Sequence, residues 1–237
     1  MVDRIQLGKR SVQVDAVFPL VSGYNFMPQL MAGMVVDRAV GSYDCSVEEM
    51  LLHYNLQISE DPEFLEKERA RMVLEGVVPE DVEFFLRRPV LIEKLKHQMF
   101  AAHVEEAFIA RKSQLDKVVF SMIRNKNHEL VAELFFRLQS GEDSFAGLAP
   151  KYSDGREAKS EGQIGPVELR GLNPKLAHFL STVKPGALNP PVIIDGYGII
   201  TLLKERIPAR LDEDMQQNIL AYLFDEWVKK EVREYFY

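Results

Sequence analysis

The spacing of apolar residues changes at Asp116, and this change limits the possible folds more than any other feature of the chain. From Asp15 to Lys112, apolar residues recur every three or four positions, which predicts amphipathic helices that pack on one another. At Asp116 the pattern becomes KVVFSMI, a β-branched and apolar run typical of a strand. The sequence therefore predicts a boundary between a helical part and a mixed part.

The mixed part is predicted to contain both helices and apolar strands. Asn127-His128-Glu129 is expected to open a helix, and Gly141 to end it by adopting a left-handed backbone. The elements expected after the first strand are helices over Glu129 to Ser140, Phe145 to Tyr152 and Pro174 to Val183, and strands over Pro190 to Ile194 and Gly198 to Leu203.

Local signals also predict structure in the first part. The segment RIQLGKRSVQV alternates around Gly-Lys, which predicts a short strand or hairpin. Ser46-Val47-Glu48-Glu49 resembles a capping box at a helix start. Pro89 lies inside a helical pattern and is expected to kink or interrupt it, because proline lacks the backbone N–H of a regular helix.

The segment after Pro208 is again helical. Its predicted apolar stripe consists of Met215, Ile219, Tyr222, Leu223, Trp227 and Val232. A lone amphipathic helix must bury such a stripe, and the first helical part offers the nearest plausible surface. We therefore predict a discontinuous helical domain, residues 1-115 plus 208-237, into which a mixed domain of residues 116-207 is inserted.

Composition and charge exclude several classes of partner. The net charge of -7 gives no attraction toward phosphate backbones, so nucleic acid is not predicted as a partner.

No run of 18 apolar residues is present and the amino terminus lacks an apolar signal region. These features predict a soluble cytoplasmic protein without membrane insertion, or a periplasmic one if a leader was removed. The single cysteine, Cys45, excludes an internal disulfide and a CxxC site.

Three sequence blocks in the mixed part carry a resemblance to a known family. They are AELFFRLQSGEDSFAGLAPKYSDG, EGQIGPVELRGLNPKLAHFLSTVKPGALNPPVI and DGYGIITLLKER, in this order. Together they resemble a parvulin-type (PpiC/rotamase) peptidyl-prolyl isomerase domain over about 90 residues. The resemblance implies an α+β fold in which helices surround an antiparallel sheet.

The amino-terminal half resembles the chaperone part of SurA-type foldases. The similarity lies in a strand pair, the segment YNFMPQL and a helix that ends VDRAV. Chains of that type also return to their first domain with a late helix. The combined expectation is a parvulin-like domain inserted into an all-helical SurA-like chaperone domain.

The chemistry of prolyl isomerisation indicates which residues matter. No covalent bond breaks, and the barrier of about 20 kcal/mol reflects lost amide resonance. An apolar pocket favours the twisted amide because that form has less charge separation, and polar groups that hydrogen-bond to the twisted imide add to this effect. By resemblance, Ile164, Leu172 and Leu176 fall where the family has its pocket walls.

The polar cluster of the family is not matched. Ser121 and Gly198 stand where the family has histidines, Ile194 falls at the usual hydroxyl site, and Gly155 falls at the cysteine-or-aspartate site. Ser121 and Asp154, which lies beside Gly155, are the candidate catalytic residues at these degenerate positions. We therefore expect weak or undetectable isomerase activity.

None of the five histidines is expected to replace the missing pair. His178 is predicted nearest the pocket wall, but helix geometry points it mostly away from Leu176. No spacing of histidines and carboxylates resembles a metal site, and the glycines form no nucleotide-binding motif, so neither a metal nor a cofactor is predicted.

Three functions remain open at this point. The first is a SurA-like folding factor that binds unfolded or proline-containing polypeptide with little catalysis. The second is an active peptidyl-prolyl cis-trans isomerase with an atypical site. The third is a non-catalytic adaptor in an assembly or secretion pathway.

Overall fold

The computed structural model describes residues 4–7, 10–54 and 63–236. By its internal contacts the chain divides into two compact units, Met1–Val104 with Gln216–Tyr237, and Glu105–Met215. The predicted domain limits, residues 1-115 with 208-237 and residues 116-207, stay a prediction. Each unit is described by itself below.

Helices dominate the first part of the chain, and the described residues form two sheets. In chain order the elements are β1 (Arg4–Leu7), β2 (Arg10–Gln13), α1 (Val14–Gly23), α2 (Met27–Val40), α3 (Val47–His53), α4 (Phe64–Leu74), α5 (Val82–Phe100), α6 (Val104–Leu115), β3 (Lys117–Asn125), α7 (His128–Ser140), α8 (Phe145–Tyr152), β4 (Gln163–Glu168), α9 (Pro174–Thr182), β5 (Leu188–Ile194), β6 (Tyr197–Ile207) and α10 (Glu213–Phe236). Among the described residues, no helix is long and apolar enough to cross a membrane.

Several predicted element ends are confirmed in atomic detail. The Glu49 N–H donates to Ser46 Oγ at 3.2 Å and the Ser46 N–H donates to Glu49 Oε2 at 2.8 Å, so the capping box of α3 is complete. Asn127 Oδ1 accepts the Leu130 N–H at the start of α7. Gly141 ends that helix with a φ of 75°, a left-handed conformation that glycine adopts without steric cost. β1 and β2 pair antiparallel, as predicted; the Gly-Lys turn between them lies outside the described residues.

The interruption expected at Pro89 is absent. α5 continues through Pro89 and ends at Phe100, where Ala101–His103 forms a 3-10 turn instead. Proline leaves one carbonyl of the preceding turn without its helical partner. Leu86 and Val90 flank Pro89 and are both buried, so packing of the apolar face holds the helix together across that missing bond.

The core of the first unit is formed by helices. Cys45 lies in it, and burial raises the pKa of its thiol, in keeping with the role of a small apolar residue. α10 contributes Phe224, with Trp227 packed beside it. Met215 and Ile219 of the stripe predicted for α10 are buried, as expected. Farther along the helix the buried residues are Leu220 and Phe224, whereas the predicted Tyr222, Leu223, Trp227 and Val232 are half-buried.

The second unit contains a four-stranded antiparallel sheet with strand order β4-β3-β6-β5. One side of the sheet, here called the α9 face, packs against α9, and the other, the α7 face, packs against α7 and α8. Phe120 and Leu203 pair across β3 and β6 on the α9 face, and Ile123 and Ile200 pair on the α7 face. The predicted α+β architecture, an antiparallel sheet with surrounding helices beside a helical part, is confirmed.

Candidate functional site

The three predicted pocket residues lie in one apolar cluster on the α9 face. Ile164 comes from β4, Leu172 from the turn before α9, and Leu176 from α9 itself. Leu176 is buried, whereas Ile164 and Leu172 are half-buried and keep apolar surface open to a ligand. The neighbouring members of the cluster that bear on the site are Met122, Val192, Ile194, Ile199 and Tyr197.

Gly165 in β4 and Gly162 just before it allow the edge of the cluster to lie close to β3. Gly165 has a φ of 107°, and a Cβ there would overlap the Val118 carbonyl oxygen. Gly162 has a φ of 82°, and its Cβ would lie 3.0 Å from the Met122 carbonyl oxygen. Both glycines make room for the neighbouring strand β3. Their effect is to fix Ile164 opposite Phe120.

The two predicted catalytic residues lie outside the cluster. Ser121 is 2% exposed and stands between Phe120 and Met122, both of which belong to the α9-face cluster. Because successive strand residues point to opposite faces, Ser121 points to the α7 face. Asp154 is exposed, and its carboxylate accepts the Lys126 N–H at 3.2 Å, at the end of β3. The structure brings neither side chain to the predicted pocket.

Gly155 lies against an ion pair between Arg124 and the buried Glu157, which was not predicted from the sequence. A Cβ at Gly155 would overlap both Glu157 carboxylate oxygens and Arg124 Nε. Its φ of -112° is open to any residue, so the requirement for glycine is one of space. The sequence signal that could have pointed to this ion pair is Gly155 itself, because the resembled family carries a cysteine or an aspartate at this position.

Glu157 and Arg124 are held in place by several contacts. Glu157 is 5% exposed, and its Oε1 accepts the Ser153 hydroxyl at 2.6 Å and lies 3.2 Å from Arg124 Nε. The Nε hydrogen is not aligned with that oxygen, so the contact is an ion pair without a hydrogen bond. The Arg124 N–H donates to Ser153 Oγ at 3.1 Å, and the Asp154 N–H donates to the Arg124 carbonyl at 2.9 Å.

Arg124 belongs to the same face as the predicted pocket. It follows Met122 by two positions in β3 and pairs across the sheet with Ile199, which lies in the α9-face cluster. Its guanidinium carbon stands 5.5 Å from the centre of the Tyr197 ring, a cation–π distance. A charged group is therefore present at the end of the cluster, although no histidine is.

Gly198, the other position where the family carries histidine, is required by packing. A Cβ at this position would lie 3.1 to 3.2 Å from the side-chain atoms of Val131 in α7. Val131 is itself buried, at 1% exposure, so it has little room to move. The space that a side chain at position 198 would need is thus occupied by Val131 of α7.

A polar contact fastens the start of α9 to the β5–β6 turn. The Asp195 carboxylate accepts Asn173 Nδ2 and Lys175 Nζ, each at 2.8 Å. The hydrogen bond from Lys175, and next that from Asn173, hold the pKa of Asp195 below its usual value. Because Leu172 precedes Asn173 and Ile194 precedes Asp195, the contact keeps these two cluster members near each other.

All five histidines are exposed. His178 lines a cleft of about 430 Å³ together with Leu172, one of the three predicted pocket residues. His128 Nε2 lies 3.2 Å from the Gly196 carbonyl oxygen at the start of α7. Within the described residues, no group of histidine, cysteine or carboxylate side chains could hold a metal ion.

We predict that Gly155→Ala lowers the free energy of unfolding by about 1–3 kcal/mol, because the added methyl group must displace the buried Glu157 carboxylate from its hydrogen bond. In a Glu157→Ala background the same change should cost much less, since Arg124 can then turn toward solvent. Gly171→Ala is the matched control, because its Cβ would meet only Val167 at an ordinary 3.7 Å. The measurement is urea unfolding of the four variants; equal costs in both backgrounds would show that Glu157 is not the obstacle.

We also predict that Asp195 titrates below the ordinary aspartate pKa of about 3.9 in the folded protein. Because its folded pKa is depressed, the stabilisation it provides is present above the unfolded pKa and is lost as the pH falls through the folded value. Carboxyl-carbon NMR titration measures this directly. Lys175→Met should move the Asp195 pKa back up, whereas Lys159→Met, at another exposed lysine of the same unit, should not; an unchanged pKa in Lys175→Met would contradict the assignment.

Comparison with known proteins agrees with this geometry. Residues 111–204 match the Rotamase family model, described as a PPIC-type PPIASE domain. No curated protein matches the chain significantly.

Solved structures that match the chain include two PrsA proteins and a SurA-like chaperone. PrsA from Bacillus cereus has 20% identity and a TM-score of 0.49, with 96% of this chain and 85% of that chain covered. The foldase PrsA of Streptococcus pneumoniae has 14% identity and a TM-score of 0.43, covering 99% and 93%. A SurA-like chaperone of Campylobacter jejuni has 13% identity and a TM-score of 0.38, covering 97% and 93%. From the family match, residues 111–204 form a parvulin-type domain of the PPIC-type peptidyl-prolyl isomerase family.

Proposed function

We propose that this protein is a SurA-like folding factor that binds unfolded, proline-containing polypeptide and isomerises prolyl bonds slowly or not at all. One observation carries the proposal. Ile164, Leu172 and Leu176 lie together in an apolar cluster, and no histidine stands at the two positions where the resembled family carries them. His178 lines a cleft with Leu172, but its side chain is exposed. Such a surface can accept a proline ring by excluding water, but it lacks the groups on which parvulin catalysis depends.

Binding of a proline-containing peptide and acceleration of its isomerisation depend on different contacts. Burial of a proline ring on half-buried apolar side chains contributes affinity in proportion to the area removed from water. Acceleration requires contacts that are stronger in the twisted amide than in the planar one. Desolvation supplies part of this difference, and the loss of positioned donors typically reduces rates by about 100-fold or more.

The first unit supports a role in holding extended polypeptide. Phe26, Leu30 and Met34 are spaced by four residues at the start of and along α2, and each is 46% to 52% exposed. Residues at this spacing share one face of a helix, and contiguous exposed apolar surface of this kind marks interaction sites. Methionine side chains adapt to different partner shapes, which suits a binder of many sequences.

The same face of α2 leads to a groove. Met34 and Arg38 of α2 line it together with Trp227 and Tyr235 of α10, and its volume is about 490 Å³. The Arg38 guanidinium carbon lies 4.9 Å from the centre of the Tyr235 ring. An apolar face that ends in an aromatic groove offers several points of attachment to one extended segment.

We predict that turnover of a short Xaa-Pro peptide is at least about 100-fold slower than that of a parvulin with the full polar cluster. A protease-coupled assay, or NMR exchange at low rates, measures it. The peptide should nevertheless bind, and more tightly than the same peptide with alanine in place of proline. Ile164→Ala should remove that preference, whereas Ile193→Ala, at an exposed position of β5, should not. Turnover equal to that of a typical parvulin would overturn the proposal in favour of an active isomerase.

We further predict that the protein suppresses aggregation of an unrelated unfolded protein, measured by light scattering during dilution from denaturant. Phe26→Ser with Leu30→Ser should weaken suppression, because the exposed apolar face of α2 is lost. Leu52→Ser is the control, since Leu52 is 75% exposed but lies on α3. Absence of suppression by the unaltered protein would favour a dedicated adaptor over a general folding factor.

A further inference from the structure

We propose that Arg124 binds the carbonyl oxygen that precedes the proline of a bound polypeptide, and that Glu157 and Ser153 are positioning residues for its guanidinium. This inference rests on the proposed function, since it assigns the polar contact of the same site. It also gives a reason why that site should bind proline without isomerising it quickly.

The location of Arg124 suits this contact. It lies on the α9 face, two residues beyond Met122, or about 7 Å farther along β3. Ile164 lies opposite Phe120, four positions or about 13 Å before Arg124 along β3, so a bound peptide must run along the α9 face for its proline ring to lie on the cluster and its preceding residue to lie toward the guanidinium. Tyr197, under the guanidinium, belongs to the same cluster as both apolar residues.

The guanidinium is held before any ligand arrives. The backbone of Arg124 is hydrogen-bonded on both its N–H and its carbonyl to the segment Ser153–Asp154. Its Nε lies 3.2 Å from Glu157 Oε1, and its guanidinium carbon lies 5.5 Å from the centre of the Tyr197 ring. A side chain restrained by these two contacts loses less rotational freedom on binding than a free arginine does.

Donors remain for a ligand. A guanidinium has five N–H donors in a planar fork, and the ion pair with Glu157 is made through Nε. The Arg124 side chain is 38% exposed, and within the described ranges no second carboxylate lies at ion-pair distance from it. The terminal nitrogens are therefore the part of the group that can meet a polar atom of a bound chain.

The carbonyl before proline is the acceptor that such a donor meets first. Proline has no backbone N–H, so a strand that contains it cannot pair normally at that residue. The preceding carbonyl is left as the polar group nearest the ring. Unless a donor satisfies it, burying the ring against the cluster costs the desolvation of that oxygen.

A cationic donor on this oxygen also affects the rate. Amide resonance places negative charge on the oxygen, and this charge decreases when the bond twists. A guanidinium at the oxygen therefore stabilises the planar forms, cis and trans, more than the twisted one. Such binding is ground-state binding, which raises affinity without lowering the barrier.

The decisive experiment replaces the carbonyl oxygen before proline with sulfur, a weaker acceptor, in a Xaa-Pro peptide. Wild-type protein should bind the thioamide peptide about 10-fold more weakly than the oxo peptide, as expected for loss of a charge-assisted hydrogen bond. Arg124→Met, which keeps an apolar stem on Tyr197, should bind both peptides with nearly equal affinity. Its isomerisation rate on saturating oxo peptide, read by NMR exchange, should be no lower than that of the wild type.

A double variant controls for a folding defect. Arg124→Met alone leaves the Glu157 carboxylate buried without its cation, so Arg124→Met with Glu157→Gln removes both charges and keeps the shape. Glu157→Gln alone should reduce the penalty of the sulfur substitution partly, as expected for a positioning residue. Native hydrogen exchange of β3 and β6 checks the fold of each variant.

The outcomes separate this inference from the proposed function. If the sulfur substitution weakens binding equally in wild type and in the double variant, the contact with Arg124 is refuted while proline binding stands. If the rate on saturating peptide falls in both Arg124 variants, Arg124 assists catalysis and the ground-state role is refuted. If wild type does not distinguish the proline peptide from its alanine counterpart, the proposed function itself fails.

Discussion

Strand β3 distributes its side chains between two cores, because successive residues in a strand point in opposite directions. Phe120, Met122 and Arg124 reach the α9 face, while Ser121 and Ile123 reach the α7 face. Pairing with β4 from Lys117 to Ser121 on one edge, and with β6 along the other edge, fixes this arrangement from Phe120 onward. The apolar cluster, the charged group at its end and the glycines that bring β4 close all depend on that register.

The same alternation explains what could be predicted from the sequence and what could not. The predicted pocket residues Ile164, Leu172 and Leu176 come from sequence blocks that lie in a recognisable order, and the structure gathers them in one cluster. Ser121 was proposed from its place in the strand, but a displacement of one residue moves a side chain to the opposite face. Met122 occupies the α9-face position instead.

Longer-range features lay beyond sequence reasoning for physical reasons. Helix caps depend on residues three positions apart, so Ser46 with Glu49 could be read directly. The contact between Arg124 and Glu157 joins residues on different elements, and no local pattern predicts it. The continuity of α5 through Pro89 was also missed, because it depends on the packing of Leu86 and Val90 rather than on propensity.

The space around Gly155 has a consequence for how this domain can change. A cysteine or aspartate at this position needs the volume that the Glu157 carboxylate fills, so either side chain would have to displace Glu157. A side chain at position 155 is therefore accommodated at low cost only when Glu157 is replaced as well. Positions 155 and 157 are thus coupled, and a side chain of the kind that the resembled family carries would require replacements at both.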